Sequence, residues 1–409
     1  MLDRPVLWVG RRADRVQGAD GSARGRVFVT TEVSVRHVKA LIPSIVAGVM
    51  GNSVIYLIPL LVGGMVSDRG FSEQQAGFMA SADLGGYAIA TFLTAMLLDR
   101  LPWRRMALAG LVVMIAANVV TTFTHDVQAF VIVRIASGLG SGVLAALASV
   151  AVGQTEQPER NYGILIAASL LYGTAALWGL PVLLARYGLN SAYWLLVALA
   201  TVVLFFVSSM PAGRTARSEG PAGMGRSGRW LLSAAVLVSI LLFWADQNDV
   251  YAYIERIGNA SGISAEFIGF SLGLANLTGF AGASLVAALG TRAGRRLPIV
   301  IATVINLACL AILGQSVGPW TYLVALGAMS LSWNVVNPLQ LGILAGVDPT
   351  GKALALAATV TGAGLAIGPA IGALAIGIGS YVAVLWAAGA LAIVSIALIL
   401  PVLRVVRAS

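Results

Sequence analysis

The sequence predicts an all-α integral membrane protein, with twelve transmembrane helices in two pseudo-symmetric bundles of six. Three observations carry that prediction. The 409-residue chain is 58% apolar and only 11% charged, against about 25% charged for an ordinary soluble domain, and its mean hydropathy is +0.88. Apolar stretches of about 20 residues, the length needed to cross a bilayer's hydrocarbon, recur along the chain. The second half also repeats features of the first at an offset of 192 residues.

Taken in order, residues 1–37 are arginine-rich and lack the apolar core and cleavage site of a secretory signal, so they read as a basic cytoplasmic arm. The N-terminal bundle, 38–210, holds spans at 40–66, 74–98, 105–123, 127–152, 161–186 and 190–210. PAGRTARSEGPAGMGRSGR, residues 211–229, is rich in Gly, Pro, Ser and Arg and reads as a cytoplasmic linker. The C-terminal bundle, 230–409, holds spans at 230–254, 264–289, 297–316, 319–346, 352–376 and 380–403. With the N-terminus inside, 22 of the 26 Lys and Arg fall in cytoplasmic segments, while Arg69, Arg186 and Arg256 lie outside and Arg134 lies within a span. That asymmetry places both termini on the cytoplasmic side of the cell (inner) membrane. Glu255 and Arg256 then fall beyond the seventh span.

The net charge of +9 follows from this topology rather than from nucleic-acid binding, because the basic residues are scattered between spans. The single Cys309 forms no disulfide framework, and His37 and His125 are too far apart for a histidine metal cluster. No GxxxxGK[ST] phosphate loop occurs, so no nucleotide-driven step and no cofactor are expected. An intramembrane enzyme would want a nucleophile with a base, or a metal cluster; neither is visible, and the chain reads as a non-enzyme.

The repeat aligns SEQQAGF (72–78) with SAEFIGF (264–270), and DRLPWR (99–104) with TRAGRR (291–296). Asp99, Arg100, Arg104 and Arg105 after the second span, with Arg292, Arg295 and Arg296 in the second copy, resemble the loop signature of the major facilitator superfamily. RIASGLGSG, from Arg134 to Gly142, is similar to that family's fourth-span arginine motif. Ala95 stands where the signature has its leading glycine, Pro102 and Trp103 interrupt the first copy, and Thr291 replaces the acid in the second. The resemblance covers 38–405. It implies alternating access, a cytoplasmic gate at the two loop clusters, and a central cavity formed by the first, fourth, seventh and tenth spans. GAGLAIGPAIGALAIGIG (362–379) resembles the family's antiporter motif of the fifth span but lies in the eleventh; from its residues alone it predicts close helix packing with a bend at Pro369.

Ionisable groups within spans cost about 2.5–3.5 kcal/mol at the bilayer centre, so they face a cavity or a partner. Asp83, Arg134 and Asp246 lie roughly 24, 27 and 24 Å from the cytoplasmic ends of their spans by the helical rise. Asp83 and Arg134 are thus able to pair, either structurally or as a proton-sensitive lock. In FWADQNDVYAYIERIG (243–258), Asp246, Asp249 and Tyr253 share one helical face while Trp244, Asn248 and Tyr251 share the other. Asp249 is about 20 residues from Trp230, near the interface, and Asp246 is the better proton or cation ligand. The proton-coupling set is therefore Asp246 with Asp83, Arg134 and Asp249.

In the tenth span, Ser330, Trp333, Asn334, Asn337 and Gln340 cluster within about 120 degrees of one face and read as cavity lining. Asn52 and Tyr56 in the first span, Trp244 in the seventh and Asn276 in the eighth join them as substrate-binding candidates. These residues suit a small amphipathic or aromatic solute, neutral or cationic. The expected function is proton-coupled transport, with export by antiport first because the motifs resemble those of drug exporters. Uptake by symport comes second, and a receptor that has kept the fold without transport third. The partners expected are the solute, protons and the bilayer, with the protein acting as a monomer.

Overall fold

The computed structural model describes residues 32–155, 158–207, 229–289, 294–348 and 352–408. Most of the basic arm, nearly all of the central linker, and Arg292 lie outside the described residues. The chain folds into twelve helices: α1 (Glu32–Ser67), α2 (Glu73–Leu97), α3 (Trp103–Phe123), α4 (Val127–Gly153), α5 (Pro158–Tyr187), α6 (Asn190–Val207), α7 (Arg229–Ala260), α8 (Ala265–Leu289), α9 (Arg296–Leu313), α10 (Pro319–Val347), α11 (Lys352–Ile378) and α12 (Tyr381–Ala408). Helix α1 begins at Glu32, within the stretch the sequence assigns to the arm. Helix α7 runs to Ala260, so Glu255 and Arg256 are helical residues rather than loop residues beyond the span.

The repeat is legible in the helices themselves. α2 and α8 are both 25 residues long and start 192 residues apart. Both begin on a serine cap: Ser72 Oγ accepts from the Gln75 amide at 3.1 Å, and Ser264 Oγ accepts from the Phe267 amide at 3.3 Å. Such caps satisfy amides that a helix start leaves unpaired. Packing repeats as well. α2 lies on α4 as α8 lies on α10, α3 bridges α4 and α6 as α9 bridges α10 and α12, and α1 contacts α5 and α6 as α7 contacts α11 and α12. Between the halves, α2 packs against α11 and α5 against α8, a pair of contacts exchanged by the same pseudo-twofold, while α1 meets α7.

Eleven helices are long and apolar enough to cross a bilayer by length and composition. The helix outside that set, α10, is 29 residues long, and its polar stripe lowers its hydropathy. Outward faces carry large apolar side chains such as Phe205, Trp386 and Val112, as lipid contact requires.

Small residues allow the closest contacts. A side chain at Gly364, Gly368 or Gly372 of α11 would collide with α7, and one at Gly362 with Ala88 of α2. In α4, Gly138 and Gly142 lie against the α2 backbone at Asp83 and Tyr87, while Gly140 faces α3. The glycines that follow Arg134 in sequence thus bring α2 within reach of its guanidinium.

At the end opposite the termini, the N-terminal half is tied across its loops. The Asp68 carboxylate accepts from the Leu189 amide at 2.6 Å, and Arg69 donates to the Thr122 carbonyl at 2.9 Å and to Asn190 Oδ1 at 2.6 Å. Gly188, at φ 67°, makes the reversal between α5 and α6 in the left-handed region that favours glycine.

Candidate functional site

A cavity of about 380 Å³ lies between the two halves, at the low end of the range for small-molecule sites. Its polar and aromatic wall comes from Asn52 and Tyr56 (α1), Tyr87 (α2), Trp244, Gln247, Asn248 and Tyr251 (α7), Asn276 (α8), and Ser330, Trp333, Asn334 and Asn337 (α10), with Thr361 of α11. Leu, Ile, Ala and Met side chains complete it, and among the described residues no Asp, Glu, Lys, Arg or His lines it.

Local bonds shape that wall. Asn248 Nδ2 donates to the Trp244 carbonyl at 3.1 Å, and Asn334 Nδ2 to the Ser330 carbonyl at 2.8 Å. Each amide is thereby tied one turn back on its own helix, and it offers its side-chain carbonyl and its second N–H. The Tyr87 hydroxyl donates to Asn52 Oδ1 at 2.9 Å, and the Tyr251 hydroxyl donates across the halves to the Tyr56 backbone carbonyl at 2.9 Å. Trp244 Nε1, Gln247 Nε2 and Asn276 Nδ2 are buried donors without protein partners. Such orphans lose free energy unless something pairs with them.

Of the cavity-lining and substrate-binding residues proposed from sequence, the structure brings Asn52, Tyr56, Trp244, Asn276, Ser330, Trp333, Asn334 and Asn337 to this cavity. Gln340 is a correction. It lies at the edge of the α10 stripe and beyond Pro338, and it turns into the C-terminal half, where its Nε2 donates to Ser239 Oγ at 3.1 Å. The wall also takes in Tyr87, Gln247, Asn248 and Tyr251, which the sequence does not mark as substrate-binding residues. The polar density of 243–258 was a signal for the last three; Tyr87 carried none.

The fourth helix is a second correction, because α4 contributes no lining residue. A side chain at Gly51 of α1 would meet the Ser141 carbonyl and the Ala145 amide, so α1 and α2 cover α4. Arg134 is accordingly buried inside the N-terminal half. Its Nη1 pairs with Asp83 Oδ2 at 3.2 Å, and its Nη2 donates to Asn118 Oδ1 and Thr121 Oγ1, both at 3.1 Å. The guanidinium also stacks 4.8 Å from the Tyr193 ring centroid.

Asp246 does not join that pair. It lies in the other half, where Asn306 Nδ2 of α9 donates to its Oδ2 at 3.2 Å, and Asn306 Oδ1 accepts from Trp333 Nε1 at 3.1 Å. Asp246 is thus connected through one amide to an indole of the cavity wall. Asp249 is enclosed by protein. It is fully buried, neither carboxylate oxygen has a hydrogen-bond partner, and Gly372 of α11 lies against it. The small residues of α11 let that helix close over it.

Contacts between the halves concentrate at the end away from the termini. Arg256 of α7 pairs with Glu73 of α2 at 3.1 Å, the Tyr253 hydroxyl donates to the Glu73 carbonyl at 3.0 Å, and the Tyr381 hydroxyl of α12 donates to the Glu73 carboxylate. Glu255 is buried against Gly63 of α1. Further inward, Ser81 donates to the Ala366 carbonyl, and Trp178 Nε1 to the Phe270 carbonyl at 3.2 Å. At the terminal end, Asp99, Arg100, Arg104 and Arg105 are exposed around the α2–α3 turn, Arg296 is exposed at the start of α9, and Arg295 lies over Gly342 and Gly346 of α10.

The sequence model of the Major Facilitator Superfamily matches residues 43–349, about three quarters of the chain. Among solved structures, a mutant of the peptide transporter POT in complex with alafosfalin superposes with a TM-score of 0.73 at 15% identity, covering 90% of this chain and 95% of that one. The nucleoside transporter NupG gives 0.71 at 11% identity, covering 90% and 98%. At such identities the likeness is one of fold. No curated protein matches the sequence.

Proposed function

Since this chain belongs to the Major Facilitator Superfamily and is a membrane transporter of that fold, we propose that it moves a small uncharged amphipathic or aromatic solute by proton-coupled alternating access. The observation that carries this reading is the central cavity: both halves wall it, aromatic and amide groups line it, and no charged side chain does. A charged solute would lose its hydration there without gaining a counter-ion, which is costly in a low-dielectric site. Amides offer donors and acceptors, while Trp244, Trp333 and the tyrosines offer flat apolar surface. The same lining favours a neutral solute over the cationic alternative.

Asp246 is the proposed coupling group. It is buried, its only charge-neutralising options are a proton or a bound ion, and Asn306 connects it to Trp333 in the cavity wall. With the termini in the cytoplasm, as the distribution of Lys and Arg favours, the closed end is extracellular and the described conformation faces inward. Export by antiport is the direction proposed, on the likeness of the α2–α3 loop and the Arg134 motif to those of exporting members.

The test is flux in liposomes of defined orientation, across a panel of neutral, cationic and anionic aromatic solutes with a pH gradient of either sign. Uphill movement of neutral solutes against the proton gradient, lost in Asp246→Asn, is the expected result. Movement with the proton gradient would replace antiport by symport. Preference for charged solutes would overturn the substrate class.

A further inference from the structure

Behind the wall formed by Trp333, between α7, α9, α10 and α12, lies a second cavity of about 20 Å³. Roughly 10–15 Å³ on such a measure is room for one water-sized particle. Asp246, Thr303, Asn306, Ser332, Gln340 and Ser395 supply its polar lining.

The hydrogen bonds around it determine what that lining can offer. Trp333 Nε1 can only donate, so Asn306 must turn its carbonyl to the indole and its amino group to Asp246. Ser239 and Ser395 each donate to the other's backbone carbonyl at 2.8 Å. Ser239 Oγ is then free to accept, and it takes Gln340 Nε2, which leaves the Gln340 carbonyl oxygen as the unpaired end. Thr303 and Ser332 donate to the Ile299 and Ala328 carbonyls at 2.9 and 2.8 Å. Each side-chain donor group in the lining therefore already gives one bond, which leaves only the second N–H of the Asn306 and Gln340 amides. The atoms left without a partner are oxygens, Asp246 Oδ1 and Gln340 Oε1, beside the lone pairs of three hydroxyls. Asp246 is 2% exposed and Gln340 1%.

A water molecule could donate to the two orphan oxygens, but it would leave the carboxylate's charge uncompensated. Oxygen-only ligands suit a hard cation. One carboxylate matches one positive charge, whereas calcium sites typically gather several carboxylates, and no group of three metal-binding acids, histidines or cysteines occurs among the described residues. We propose that this cavity is a sodium site, with Asp246 Oδ1 and Gln340 Oε1 as its principal ligands and the hydroxyls of Thr303, Ser332 and Ser395 completing the shell.

Sodium and a proton are then alternative occupants of one carboxylate; this consequence rests on the reading of Asp246 as the coupling group. The ionisable neighbour is Asp249, one turn along α7, while α9, α10 and α12 present only neutral groups to the cavity. With sodium bound, the carboxylate stays ionised and Asn306 keeps its grip on Trp333. A protonated Asp246 can instead donate to Asn306 Oδ1 once that amide turns over, which takes the carbonyl away from the indole and frees it.

The test uses the purified full-length protein in detergent, with the thermal unfolding midpoint followed as sodium chloride replaces choline chloride at constant ionic strength, at two pH values. Wild type is expected to show a saturable rise with sodium, whose apparent Kd weakens as pH falls, by up to tenfold per unit. Gln340→Met, which keeps the volume but removes the ligand, is expected to weaken sodium at least tenfold, and Asp246→Asn to abolish the response. A wild-type midpoint equal in sodium and choline at both pH values overturns the site, as does a Gln340→Met protein that responds like wild type. These two proteins decide the matter even if Asp246→Asn does not fold. Sodium binding with no effect on flux would keep the site and remove its coupling role; Asp246-dependent proton-driven flux with no sodium response would keep the transport reading and remove the site.

Discussion

Arg134 shows how one side chain organises a half of the molecule. It reaches Asp83 on α2, Asn118 and Thr121 on α3 and the Tyr193 ring on α6, so four helices meet on one guanidinium. Removing it leaves the Asp83 carboxylate buried and uncompensated, a loss of about 3–5 kcal/mol in comparable buried pairs. Arg134→Met is therefore expected to lower the thermal midpoint sharply, and Asp83→Asn in the same chain to recover part of the loss; an unchanged midpoint in the single variant would refute the clamp. The α10 stripe divides at the same scale. Asn337 lines the solute cavity and Gln340 does not, so Asn337→Ala should raise the transport KM about tenfold, equivalent to ~1.4 kcal/mol. Gln340→Met should leave KM at saturating sodium near wild type. Equal KM effects from both would mean the stripe acts as one face.

For the helices, the decisive quantity is how closely backbones approach. On α11, Gly364, Gly368 and Gly372 recur every four residues and face α7, while Gly362 and Gly377 lie against Ala88 and Gln74 of α2. One helix therefore joins its own half to the other through two small-residue stripes, as membrane helices without a hydrophobic driving force tend to do. Gly368→Val would press on the Ala245 carbonyl and the Asp249 amide. Overpacking of this kind costs about 1–3 kcal/mol and occasionally more, so the yield of monodisperse protein should fall, whereas Ile367→Val, on the exposed face, should be silent. A well-folded Gly368→Val protein would show that α11 packs less tightly than described.

Across the whole molecule, the closed end is held by a small polar lock. Glu73 takes Arg256 and Tyr381 on its carboxylate and Tyr253 on its carbonyl, joining α2 to α7 and α12. A partly exposed pair of this kind is worth about 1 kcal/mol, which suits a contact that must break in each cycle. In a Cys309→Ser background with a cysteine at Ile254 in the cavity wall, Glu73→Gln is expected to speed labelling by a membrane-impermeant reagent added outside, by up to about fivefold on that energy. An unchanged rate would place the lock elsewhere, among the α2–α11 and α5–α8 contacts.

By itself the sequence determined the twelve spans, the division into two related halves and the family. Those properties are local: apolar length, serine caps and the charge at span ends are each read from a few neighbouring residues. Eight of the nine cavity-lining candidates read from the sequence lie at the cavity, because a helix fixes which residues share a face. Only the tertiary structure decided which way each face turns. It sent Gln340 and Arg134 into bundle interiors, closed α11 over Asp249, set Tyr87 beside Asn52, and placed Asn306, unmarked within an apolar span, between Asp246 and Trp333. Those choices depend on glycines that admit a neighbouring backbone and on pairings between residues tens to hundreds of positions apart, which no single helix encodes.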